Sequence, residues 1–145
     1  MSTAQSLSAP APTRSFPAAR STALIIDDSA SMRALLRLAL ASAGVAAVAE
    51  AGTGAQVLEL YAQHRPSLVL MDIVLPGADG VKVATELLRA HPEAQVVMCS
   101  SLTTRERIVA CRDAGVAHFI LKPFTVEKVA EVARTVLARQ AASAV

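Results

Sequence analysis

Aromatic residues are nearly missing from this chain. It has no tryptophan, one tyrosine and three phenylalanines, 3% of 145 residues in all, although 53% are hydrophobic. Its core must therefore be packed from Ala, Val, Leu and Ile, the composition of a parallel sheet buried between helices. Cysteine is scarce as well: Cys99 and Cys111 fall in a predicted strand and a predicted helix, without metal-ligand spacing, and read as two reduced core thiols of a cytoplasmic protein. No run approaches the roughly 18 apolar residues of a membrane span, and no basic start followed by an apolar block marks a secretory leader, so membrane insertion is not expected. An excess of one charge is lacking too. With 14 Lys and Arg against 12 Asp and Glu, and the arginines dispersed, the formal +2 gives no basis for binding nucleic acid or an acidic substrate.

What remains is enough chain for one domain with one full core. Residues 1 to 22 are mostly Ala, Ser, Thr and Pro, with no period able to bury a face, and are expected to be a disordered tail. Arg14, Phe16 and Arg20 form a candidate docking motif in it, against which a solvated extension is preferred. The domain is expected over 23 to 140 and a flexible end over 141 to 145.

Within the domain, apolar runs alternate with helical periods. Ala23 to Asp27 is a buried strand ending in acid, followed by a helix over about Ala30 to Ala43. That helix buries Met32, Leu35, Leu36, Ala39 and Leu40, with Leu38 also assigned to the core and Arg33 and Arg37 turned outward. Val45 to Ala51 is a weaker strand, and Gly52-Thr53-Gly54 turns into a helix through His64 that points Leu58 and Tyr61 at the core. Leu68 to Met71 is a third buried strand, followed by a loop with Pro76 and Gly77 and a helix near Gly80 to Ala90 capped by Asp79. Gln95 to Ser100 is the fourth strand, Thr103 to Ala114 the fourth helix, Ala117 to Leu121 the fifth strand, and Thr125 to about Ala138 the last helix. His64, His91 and His118 share no spacing and are assigned to the surface. Five strands alternating with five helices predict an α/β fold: a five-stranded parallel sheet with helices on both faces, in the flavodoxin-like strand order 2-1-3-4-5.

In that order the carboxyl ends of strands 1, 3, 4 and 5 converge, and they bring together Asp27, Asp28, Asp72, Ser100 and Lys122. Clustered carboxylates raise one another's pKa and need compensation. A divalent cation and the Lys122 ammonium supply it, about −3 being met by +2 and +1. Few oxygen ligands with open water positions suit Mg²⁺, which shares its sphere with phosphoryl oxygens. Asp72 is the candidate nucleophile, a carboxylate able to form an aspartyl-phosphate.

Taken together, Asp27-Asp28-Ser29-Ala30-Ser31-Met32-Arg33, Met71-Asp72 with Pro76 and Asp79-Gly80, Ser100, Ala114-Gly115 and Lys122-Pro123-Phe124 resemble the receiver domains of two-component response regulators. The resemblance covers about Ala23 to Ala138. It implies that Asp28 and Asp72 bind Mg²⁺ directly with the backbone carbonyl of Val74, that Asp27 acts through water, and that Lys122 pairs with the phosphoryl group across a cis bond to Pro123. It further implies that Ser100 moves to a phosphoryl oxygen and that Phe119 then turns inward. The resulting output surface is the fourth helix, fifth strand and fifth helix, with Arg105, Arg107, Arg112 and Lys128. The phosphodonor, a sensor histidine kinase or phosphotransfer protein, docks on the first helix in this family.

Four residues depart from the commoner family pattern. Ser101 follows Ser100, Val74 and Leu102 are apolar where the family sets phosphoryl lifetime, and Phe119 stands in place of Tyr. Because only Gln140 to Val145 follow the last helix, the expectation is a stand-alone regulator of the chemotaxis type. Such a protein signals by binding another protein and is not an enzyme beyond its own phosphorylation and dephosphorylation. Alternatives are a phosphate sink or shuttle, which uses the same residues, and a phosphorylation-independent pseudo-receiver, which ranks lower because the acidic set is complete. A phosphatase needs an acid two residues after Asp72, where Val74 stands.

Overall fold

The computed structural model describes residues 21–101 and 104–143, and the elements run β1 (Thr22–Ile26), α1 (Ala30–Ser42), β2 (Ala46–Ala51), α2 (Val57–His64), β3 (Leu68–Met71), β4 (Val74–Leu75), β5 (Ala78–Asp79), α3 (Gly80–Ala90), β6 (Val96–Ser100), α4 (Arg105–Ala114), β7 (His118–Leu121) and α5 (Val126–Ser143). Residues 1–20 of the tail expected over 1–22 and the expected lifetime position Leu102 lie outside the described residues, whereas Thr22, assigned to that tail, opens β1 by pairing with Ala46. Among the described residues, no helix is long and apolar enough to cross a membrane.

Five strands form one parallel sheet in the order β2-β1-β3-β6-β7, which is 2-1-3-4-5 once the small β4–β5 pair is set aside. Alternation along the central strands divides the apolar side chains between two faces. Leu24, Ile26, Val69, Met71, Val96 and Met98 face Val57, Tyr61, Val83, Leu87 and Cys111 of α2, α3 and α4. Ala23, Ile25, Leu68, Leu70, Val97 and Cys99 face Leu36, Ala39 and Leu40 of α1 and Val129, Ala133 and Val136 of α5. Each fully buried aliphatic side chain contributes roughly 1.5–3 kcal/mol of transfer free energy, so two such layers offset the near absence of aromatics.

Several local expectations are corrected. Helix α2 begins at Val57, so Val57 and Tyr61 share the buried face one turn apart, and Leu58 is turned 41% to solvent. Leu38 is 62% exposed, because Leu36, Ala39 and Leu40 take the core side of α1 and Leu38 lies across the helix from Leu36. The Pro76-Gly77 loop is the turn of an antiparallel pair, Val74 opposite Asp79 and Leu75 opposite Ala78, with Gly77 at φ 66°, a conformation other residues reach at a cost. Helix α5 extends to Ser143, through three residues where a flexible end was expected. His91 is not a bare surface residue: its ring packs on Tyr61 with centroids 4.7 Å apart, and Nδ1 lies 3.5 Å from Glu93.

Candidate functional site

Side chains from four strand ends meet at the carboxyl edge of the sheet. Asp27 follows β1, Asp72 follows β3, Ser100 closes β6 and Lys122 follows β7. Parallel register places them side by side: Ile26 pairs with Met71, Met71 with Met98, and Ser100 with Leu121. Asp27 and Ser100 are 1% exposed and Asp72 7%, whereas Asp28 is open to solvent. Two buried carboxylates without partners would cost several kcal/mol each. Lys122 answers both: Nζ donates to Asp27 Oδ2 at 2.9 Å and to Asp72 Oδ2 at 3.0 Å.

The remaining oxygens of the two buried acids take backbone donors. Ser29 N–H donates to Asp27 Oδ1 at 3.0 Å, and Val74 N–H to Asp72 Oδ1 at 3.1 Å. Burial alone would push the Lys122 ammonium down, but the hydrogen bonds and charges of Asp27 and Asp72 outweigh it and hold its pKa above the ordinary lysine value. Cys99, behind the site, shows the uncompensated case. Desolvation, opposed by Lys122 but aided by both aspartates, pushes its thiol up to about 12, so it plays no nucleophilic part.

The donor set fits a small divalent cation. One carboxylate oxygen from each of Asp27, Asp28 and Asp72 lies within 4.8 Å of the others, against the about 4.2 Å that separates opposite ligands around Mg²⁺. The acids are hard oxygen donors, and the open side at Asp28 leaves room for water or a phosphoryl group. Among the described residues no other group of three or more His, Cys, Asp or Glu is gathered in this way.

Around this centre the other sequence candidates take defined places. Val74 is 53% exposed, its N–H tied to Asp72 and its strand paired with β5. The Lys122–Pro123 bond is cis. Phe119 is half-buried against the α2–α4 side of the core, between a hollow of about 170 Å³ bounded by Ile108, Cys111 and His118 and an outer one of about 410 Å³ bounded by Leu121, Phe124 and Lys128. Asp79 caps α3 through Val81 N–H. Ser29, not Asp28, caps α1 through Met32 N–H, so the carboxylate of Asp28 is not spent on the helix end.

Three contributors escaped the sequence reading. Arg33, expected to point outward, donates from Nη1 to the Asp27 carbonyl at 2.6 Å and lies against Glu50 of β2. Gly80 packs so closely that a Cβ there would stand 2.2 Å from the Asp72 carbonyl oxygen. Arg107, assigned to the output surface, donates to Asp79 at 2.9 Å and joins α4 to the start of α3. Burial raises the Asp79 carboxyl, yet the hydrogen bonds from Arg107 and the Val81 backbone prevail and hold it below the usual carboxylate range. The one signal available for Arg33 was its place one helical turn past the acid pair, with Glu50 the sole acid in the neighbouring strand.

A doubly wound parallel sheet with an acid cluster and a lysine at its carboxyl edge defines a class of phosphate-handling α/β modules. The model of the response regulator receiver domain matches residues 23–134, and the chain belongs to that family. It is 39% identical over 108 residues to the chemotaxis protein CheY of Bacillus subtilis, which covers 74% of this chain and 90% of that protein. Among solved structures, a CheY-like receiver domain protein from Methanospirillum hungatei superposes with a TM-score of 0.81 at 22% identity, covering 86% of this chain and 99% of that one. CheY in a CheX–CheY–BeF3–Mg²⁺ complex from Borrelia burgdorferi matches with a TM-score of 0.76 at 27% identity, over 80% of this chain and 88% of that one.

Proposed function

We propose that this protein is a response regulator that takes a phosphoryl group onto Asp72 from a histidine kinase or phosphotransfer protein and signals by phosphorylation-dependent protein binding, in chemotaxis or motility control. The observation that carries the reading is the bridging of Asp27 and Asp72 by Lys122 at the edge of a cluster open at Asp28. An Asp72 oxygen attacks phosphorus, the bond from phosphorus to the donor's imidazole nitrogen breaks, and the imidazole keeps the electron pair and takes a proton from solvent. Asp28, Asp72 and the Val74 carbonyl would hold Mg²⁺, with Asp27 acting through water, and the bound ion would supply charge neutralisation for the transferring oxygens. Lys122 exchanges its bond to Asp72 for one to the phosphoryl group, and the hydroxyl of Ser100 closes on another of its oxygens. The phosphoryl group stays on Asp72 as the signal, so beyond its own phosphorylation and dephosphorylation the protein acts as a signalling partner and not as a turnover catalyst.

Output follows from the same geometry. As Ser100 moves to the phosphoryl group, Phe119 turns from its half-buried position into the hollow beside Ile108 and Cys111. The face so altered carries exposed Leu121 and Ile108 among Arg105, Arg112 and Lys128, which suits a protein segment with apolar anchors and acidic flanks, not nucleic acid. The phosphodonor docks on the exposed side of α1 at Leu38. Incubation with Mg²⁺ and acetyl phosphate, followed by borohydride reduction and peptide mass mapping, is expected to convert Asp72 alone to homoserine. Conversion at another aspartate would overturn the assignment. A phosphorylated form that recovers the same binding partners as Asp72→Asn would favour the sink over the signalling module.

A further inference from the structure

Arg33 closes the first turn of α1, where helical periodicity directs it to solvent, yet its side chain is only 22% exposed. Nη1 donates to the Asp27 carbonyl at 2.6 Å, and Nε lies 3.4 Å from Glu50 Oε1. Glu50 is itself held by Arg37, one turn further along α1. The guanidinium also lies beside Gly52: a Cβ at that position would stand 3.5 Å from Nη1 and 3.9 Å from the Asp28 Cα. Arg33 therefore spans helix α1, the end of edge strand β2 and the loop that carries both acids. The Asp27 carboxylate is fixed separately, by Ser29 and Lys122. Asp28 is different: among the described residues its exposed carboxylate has no hydrogen-bond donor, so its place at the cluster depends on the peptide that Arg33 anchors.

We infer that Arg33 is a positioning residue for the divalent-cation site, fixing the Asp27–Asp28 peptide so that the Asp28 carboxylate is held at the cluster before the cation arrives. This rests on the reading of the cluster as the Mg²⁺ site of a phosphoacceptor. Simple charge argues for the opposite sign, because a cation beside three carboxylates repels Mg²⁺ and its removal should tighten binding. Loss of ligand orientation weakens it, and groups that orient ligands from behind typically carry about 10–100-fold of metal affinity. The sign of the change therefore separates positioning from electrostatics.

The test is calorimetric titration of Mg²⁺ alone into the full, unphosphorylated chain, with melting in EDTA as the check of folding. Arg33→Met, which keeps the aliphatic stem and removes the donors, is expected to weaken Mg²⁺ by about tenfold or more. Arg37→Met removes the same charge and the same Glu50 contact but nothing that touches the loop, and should stay within about twofold of wild type because exposed charges are screened. Arg33→Lys, able to reach one of the two partners but not both, should fall between. Wild-type or tighter binding in Arg33→Met, or an equal loss in Arg37→Met, overturns the inference. Should Arg33→Met not hold its fold in EDTA, Arg33→Lys decides: wild-type affinity there overturns it as well. A wild type that binds no Mg²⁺ overturns both the inference and the metal reading beneath it, whereas normal binding and phosphorylation with no effect at Arg33 overturn the inference alone.

Discussion

Lys122 neutralises the two buried acids, and under the proposed function the same ammonium meets the phosphoryl group. Its pKa in the folded chain is raised, so the stability it contributes is fully present below the ordinary lysine value of about 10.4 and is lost as pH rises through the higher folded value. Urea midpoints measured in EDTA across that range should fall more steeply in wild type than in Lys122→Met, and equal slopes would show that the bridge adds nothing. Gly80 makes the opposite kind of contribution, by having no side chain. A Cβ would meet the Asp72 carbonyl and the Ile73 backbone at 2.2 to 2.8 Å, all of it main chain that does not move aside cheaply. Gly80→Ala should therefore cost about 1–3 kcal/mol by denaturant unfolding and slow phosphorylation of Asp72 as well, since the strain falls on that residue's own peptide. At this scale the acids, Ser100 and Lys122 were legible in the sequence, because charged or hydroxyl side chains ending apolar runs have few bland explanations. Arg33, Glu50 and Gly80 were not: Arg33 and Gly80 act by close approach to the main chain of the loops that carry the acids, and Glu50 by ion pairs across to α1, none of which periodicity encodes.

At the scale of elements, burial settled what pattern left open. The two-face alternation of β1, β3 and β6 was readable from continuous apolar runs, as was the capping of α3 by Asp79. Leu38 and Leu58 were misread for one reason: α1 and α2 carry more apolar residues than their buried stripes need, and the register of the stripe depends on where the helix starts. The surplus has a use on α1. Under the function proposed above, Leu38, 62% exposed on α1, is the apolar contact for the phosphodonor. Leu38→Asp should slow phosphoryl transfer from a cognate protein donor by about tenfold or more, as loss of a buried anchor does, and leave labelling by acetyl phosphate unchanged. An equal effect on both would place the damage in the site and not at the docking face. On α4, the Arg107–Asp79 pair ties the helix that follows Ser100 to the capping residue of the helix that follows Asp72.

For the molecule as a whole, topology does most of the functional work. A strand order of 2-1-3-4-5 makes neighbours of the four strand ends that carry the chemistry, so residues 95 positions apart, Asp27 and Lys122, meet at 2.9 Å. The fold was legible because five apolar runs separated by helical periods admit few right-handed parallel arrangements. The small β4–β5 pair was not, since two-residue strands carry no period and only the turn between them has a signature. The central claim is that this edge exists to carry a phosphoryl group on Asp72, and intact mass tests it most directly. After incubation with Mg²⁺ and acetyl phosphate, wild type is expected to gain a single phosphoryl increment that is lost on prior chelation with EDTA and absent in Asp72→Asn. An adduct that persists in Asp72→Asn, or a wild type that gains none, would contradict the account.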